Sequence, residues 1–184
     1  DRIVNALELS IDEDCTIILA RRQPAATDLR LVLSISRIIS DLERMGDEAC
    51  KVAHSAIKLG ELGGLPRSVL EIRHIGDHVL GMVRNALDAF ARFDSDKALE
   101  VAEEDHAVDI EYGTAMRSLV TYMMEDPRTI SSVLQVLWAL RSLERIGDHA
   151  TNIAKAVYYM VTGETTTGAK IESRLAEDDH GEQR

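Results

Sequence analysis

The sequence predicts an all-α protein of long antiparallel helices, and three observations carry that reading. Apolar residues recur every three or four positions over stretches of twenty residues and more. With 3 prolines in 184 residues and 4% aromatics, the composition favours helix over sheet. Finally, the octet LERMGDEA, Leu42 to Ala49, returns 101 residues further on as LERIGDHA, Leu143 to Ala150, with six of eight letters unchanged. A purely structural repeat has no need to keep two acids and a glycine while its apolar residues drift.

Taken in order, Ile3, Leu7, Ile11, Cys15 and Ile18 mark a first amphipathic helix, which Pro24 ends near Arg22 by biasing Gln23 away from helical angles. A second spans about Ala25–Leu59 on the stripe Leu29, Val32, Ser36, Ile39, Glu43, Gly46, Cys50, Ala53 and Ile57, and Gly60, Gly63 and Gly64 stop it. A third starts at Pro66 and carries Val69, Ile72, Gly76, Val79, Val83, Leu87 and Phe90. Asp94-Ser95-Asp96 breaks the chain and caps a fourth helix that runs to about Met124. Asp126-Pro127 opens a fifth, closed by Gly163 after about Thr162. Helices of this length, joined by short links, stack as antiparallel bundles. Three units result: residues 1–64, residues 65–163, and a flexible acidic tail over 164–184.

The repeat is wider than the octet. Asp1-x-x-x-Asn5 matches Asp105-x-x-x-Asp109, so helices one and two correspond to four and five, and the third has no counterpart in the first half. That mismatch, in a chain opening on Asp1, implies a helix missing upstream and an incomplete first bundle. Stripe positions Ile11, Leu33 and Ile39 are then expected to be exposed.

The charge count, 21 − 32 = −11, argues against direct binding of a nucleic-acid backbone. No apolar run approaches the ~20 residues of a bilayer span, so a soluble chain is expected. Cys15 and Cys50 form no CxxC pair and no disulfide framework, which suits a reducing cytoplasm.

Glu43 and Asp47 lie four apart, about one turn from each other on one helix face, and Glu144/Asp148 and Asp105/Asp109 share that spacing, as does Asp1 with Asn5. Like charges so placed repel by a few tenths of a kcal/mol. A bridging cation reverses that, and all-oxygen donors suit Mg, Ca, Mn or Fe. A solvated face would explain any one pair in so acidic a chain; recurrence at matched places favours metal, more strongly for the two Glu/Asp pairs than for Asp105/Asp109, and least for Asp1/Asn5. Gly46 and Gly147, costly inside a helix, are expected where a backbone or ion comes close. Arg44 and Arg145 either pair with an acid a turn away or stand by the site holding an anion. His74 and His78 read as surface histidines, and His149 is turned off the acid face. No nucleophile motif or glycine-rich phosphate loop is present.

RRQPAATDLRLVLSISRIISDLERMGDEA (21–49), EEDHAVDIEYGTAMRSLVTYMMEDPRTI (103–130) and RSLERIGDHATNIA (141–154) together resemble the PhoU family of phosphate-signalling proteins. The resemblance implies two pseudo-symmetric three-helix bundles, the first lacking its N-terminal helix here. It implies metal ions, often as iron or zinc clusters, on Glu43/Asp47, Glu144/Asp148, Asp105/Asp109 and Asp1/Asn5, with Asn5 departing from the acid pattern. It also implies a cytoplasmic, often dimeric negative regulator of phosphate uptake and starvation signalling, which reaches the membrane only through partners: the ATPase of a phosphate ABC transporter and a sensor histidine kinase. The competing reading is a metal-dependent redox or hydrolytic enzyme using the clustered acids; no base or nucleophile beside them supports it.

Overall fold

The computed structural model describes residues 2–63 and 68–165. Five helices follow one another: α1 (Arg2–Arg22), α2 (Ala26–Glu61), α3 (Ser68–Arg92), α4 (Ser95–Glu125) and α5 (Ile130–Thr162). The predicted elements are all present, with small shifts at their ends. Gln23 takes a left-handed φ of 48° ahead of Pro24, so the α1–α2 break is sharp. Gly60 stays inside α2, which ends at Glu61, and Gly63 turns the chain with φ 88°. Pro66 and Gly64 lie outside the described residues, as do most of the tail and Asp1. Asp94 accepts from the backbone amides of Asp96 and Lys97 at 3.1 and 3.0 Å, capping α4 as expected. Asp126 does the same for Arg128, but the turn that follows, Pro127–Thr129, is 3-10 and leads into α5. Gly163 closes α5 in the left-handed conformation, φ 78°.

At about 1.5 Å per residue the 36 residues of α2 reach about 54 Å. That helix packs along α5, and α3 and α4 pack on α5 and on each other, while α1 lies against α2 alone. Among the described residues, the α2–α5 seam is therefore the only helix-to-helix contact joining α1–α2 to α3–α5. The core runs along α5 from Val133 to Met160 and takes Ile38 and Met45 from α2, Ile75, Val79 and Met82 from α3, and Val101, Val108 and Leu119 from α4. None of the described helices is long and apolar enough to cross a membrane.

The first half is thinly covered. Of the α1 stripe only Cys15 is buried, whereas Ile3, Leu7, Ile11 and Ile18 are exposed, as is Leu33 on α2. Ile39 departs from expectation: it is buried because it lies two turns from Val32 on the same inward face of α2. On the outer stretch of α2 the predicted stripe fails too, with Cys50, Ala53 and Ile57 exposed. Past Glu48 the buried residue is Ser55.

This asymmetry has an energetic signature. Ile38→Ala, at a side chain 1% exposed, is expected to cost about 2–5 kcal/mol of unfolding free energy in urea. Leu7→Ala, 57% exposed, is expected to cost about 0.5 kcal/mol or less. Equal losses would mean that the outer face of α1 is covered in solution.

Candidate metal centre

In the second half the acids are placed by one helix crossing. A Cβ built on Gly147 of α5 would meet Val108 Cγ1 of α4 at 3.8 Å, with Val79 Cγ2 and Met82 Sδ of α3 at 3.7 and 3.9 Å. Glu144 and Asp148 stand three residues before and one after Gly147. Asp105 and Asp109 stand three before and one after Val108. The backbone thus brings both pairs to the same crossing, although the sequence separates them by about forty residues.

Electrostatics report the convergence. Burial, then Asp148, with Asp109 and Asp105 contributing against the opposing Arg141 cation, raises the Glu144 carboxyl above its ordinary range. Burial, then Asp105 and Asp109, does the same to Asp148, although its side chain reaches the surface. Glu144 is 9% exposed: Oε1 is bonded by Arg141, and Oε2 is buried without a hydrogen-bond partner. Two acids whose charged forms are disfavoured by burial and by each other, one with an orphaned buried oxygen, fit a hard cation by charge and by donor type. The side-chain positions stop short of a closed shell: among the described residues no three His, Cys, Asp or Glu side chains stand close enough to share an ion.

The first half repeats the crossing. A Cβ on Gly46 would meet Val4 Cγ1 at 3.8 Å, and Glu43, Asp47 and Asn5 flank those residues at the same offsets. Glu43 and Asn5 are half-buried and Asp47 is exposed; Asp1 falls outside the described residues. Among the described residues, nothing corresponding to Val79 and Met82 of α3 stands over Gly46 within 4 Å. At neither glycine does the added Cβ meet an atom closer than ordinary contact, so close approach does not demand these glycines.

The seam holds what the sequence reading missed. His149 Nδ1 lies 2.8 Å from Asp41 Oδ1, joining α5 to α2, with His149 and Asp41 side chains 11% and 16% exposed. At the mirrored place burial pushes the Glu48 carboxyl up. Hydrogen bonds from Lys51 and Ser142, with the Arg145 cation 3.0 Å away, outweigh it and leave the group below its usual range. Arg145 thus pairs across the seam with an acid of the other helix, while Arg44 is exposed with no hydrogen bond or ion pair among the described residues. His74 Nε2 and His78 Nδ1 bracket Glu111 Oε1 of α4 at 3.4 and 3.0 Å, a cluster that helical spacing alone could not place.

A helical repeat carrying paired carboxylates at matching helix crossings defines the class of protein. The PhoU domain profile matches residues 1–56 and 72–157. The accessory protein PhoU homolog of the phosphate-specific transport system from Pseudomonas putida is 64% identical over 163 residues, which are 89% of this chain and 64% of that one. The Escherichia coli phosphate-specific transport system accessory protein PhoU is 47% identical over 164 residues, 89% of this chain and 68% of its own. A crystal structure of PhoU from Pseudomonas aeruginosa superposes with a TM-score of 0.87 at 64% identity, covering 89% of this chain and 78% of that one. The phosphate transport system regulatory protein PhoU from Streptococcus pneumoniae gives 0.82 at 31% identity, over 91% and 78%. The chain belongs to the PhoU family. It spans 64% of the length of the Pseudomonas putida relative.

The raised carboxyls carry a signed pH dependence. A folded-state pKa above the unfolded value contributes stability that is complete below the ordinary carboxylate range and is lost as pH rises through the folded value. In metal-free protein, Glu144→Gln/Asp148→Asn should therefore melt higher than the parent at neutral pH, and that advantage should shrink as pH falls to about 4. An advantage constant with pH would mean that the acids do not repel one another in the folded chain.

Proposed function

We propose that this chain is a regulatory component of phosphate uptake, a cytoplasmic, dimeric negative regulator that links the ATPase of a phosphate ABC transporter to a sensor histidine kinase. The observation that carries the proposal is its 64% identity, over 163 residues, to an accessory protein of the phosphate-specific transport system. The chemistry of the side chains supports a binding role. Cys15 is buried, and burial followed by Asp12 and Asp14 raises its thiol, which makes it a poor nucleophile. His78 and His149 are engaged by Glu111 and Asp41.

Metal ions, with Fe, Zn, Mn and Mg as the candidates, belong to this proposal, with Glu144, Asp148, Asp105 and Asp109 as their ligands in one half. Glu43 and Asp47, with Asp1 and Asn5, would hold them in the other. A cation there would offset the negative charge that Arg141 alone does not balance. The chain's own part is to carry those acids on rigid helices and to keep one Glu144 oxygen out of water.

Metal content and complementation in cells test the two levels separately. Protein purified without chelators or nickel columns should lose bound metal in elemental analysis when Glu144→Gln/Asp148→Asn is introduced, and lose more when Glu43→Gln/Asp47→Asn is added. Unchanged metal content would reduce the acids to a solvated face. In cells lacking the native protein, full-length protein should restore repression of phosphate-starvation genes, and charge reversals on helix faces far from the acids should abolish it with metal content intact. If only acid-pair variants lose function and the metal-loaded protein turns over a phosphoester or peroxide, the carboxylates form an active site and the protein is an enzyme.

A further inference from the structure

Two grooves flank the α2–α5 seam and are related by the internal repeat. One, of about 370 Å³, is lined from α2 by Arg37, Ser40 and Arg44 and from α5 by Asn152 and Lys155. The other, of about 440 Å³, is lined at the repeat-equivalent positions by Trp138, Arg141 and Arg145 and by Lys51 and His54. The geometry is shared but the electrostatics are not. In the second groove Lys51 and Arg145 are bound to Glu48 and Arg141 is bound to Glu144, so its cations are neutralised internally. In the first, Arg37, Arg44 and Lys155 make no hydrogen bond or ion pair among the described residues. Its one carboxylate, Asp41, is taken by His149 at 2.8 Å, with Asn152 at 3.5 Å.

Three unpartnered cations facing each other from two helices are unusual in a chain of net charge −11. Their spacing limits what can satisfy them. Arg37 and Arg44 are two turns apart, about 10 Å along α2, so one small anion does not engage both forks at once. Ser40 offers a hydroxyl and Asn152 an amide, and the lining presents no aromatic face on which a base could stack. We propose that this groove is a binding site for a compact ligand carrying two or more linked anionic oxygen groups, of the di- or triphosphate class. Arg37 and Arg44 take separate anionic groups through bidentate hydrogen bonds, and Lys155 closes on them from α5.

The test is calorimetric titration of chelator-treated protein with pyrophosphate and tripolyphosphate, with orthophosphate, sulfate, adenosine diphosphate and a poly-glutamate peptide in parallel. Saturable binding of pyrophosphate or tripolyphosphate is expected, tighter than that of orthophosphate or sulfate. Arg37→Gln/Arg44→Gln should weaken it by about tenfold or more. Lys51→Gln/His54→Gln, in the twin groove, should change it less than about twofold. All the altered side chains stand at the surface, and circular dichroism checks that the helices persist. Trp138, the one tryptophan, stands in the twin groove, so its emission should not respond. Equal affinity for pyrophosphate and adenosine diphosphate supports recognition of the diphosphate alone, whether free or esterified. No saturable binding, binding indifferent to Arg37→Gln/Arg44→Gln, a Trp138 response that tracks occupancy, or tighter binding of poly-glutamate than of any phosphate would overturn the proposal.

Discussion

Across the seam between α2 and α5, Asp41 meets His149, and at the mirrored position Glu48 meets Ser142 and Arg145. This seam is the only helix-to-helix contact between α1–α2 and α3–α5 among the described residues, so the placement of each half depends on it. Apolar packing through Ile38, Met45, Leu140 and Ile153 provides the adhesion, but such packing is non-directional. The half-buried polar pairs set the register, since sliding one helix by a turn leaves a desolvated carboxylate without its partner.

The same two helices carry the acids on another face. Gly46 and Gly147 each receive a valine from the neighbouring helix, and the acids bracket that contact at identical offsets in both halves. One helix surface thus fixes the assembly while another concentrates negative charge, and the two tasks are separated by roughly a third of a turn of helix. The repulsion at Glu144 and Asp148 is sustained because the seam and the α3–α4–α5 core hold the backbone in place.

The helices and their breaks were legible because they rest on local rules: apolar period, Pro24, the Asp94 and Asp126 caps, and Gly163. The doubled octet also revealed the repeat and the acid pairs. Apolar period alone misled on α2 beyond Glu48, where Cys50, Ala53 and Ile57 keep the spacing of an inward stripe with no described helix to cover them. The seam pairs escaped because they join residues far apart in the chain, 108 positions for Asp41 and His149. One signal did exist. The repeats differ at Asp41/Ser142 and Glu48/His149, so the acid has moved from one member of a contact to the other, as partners in a repeated contact do. Similarly, the free cations of the α2–α5 groove became visible only when Arg145 was seen to be paired and Arg44 was not.

A double-mutant cycle across the seam tests this account most directly. Asp41→Ala, His149→Ala and the combined variant would be unfolded in urea at neutral pH. A coupling of about 1–3 kcal/mol, with the double variant losing less than the two single losses combined, is the predicted result. Additivity within about 0.5 kcal/mol would contradict it, because the pair would then contribute nothing to the contact on which the arrangement of both halves depends.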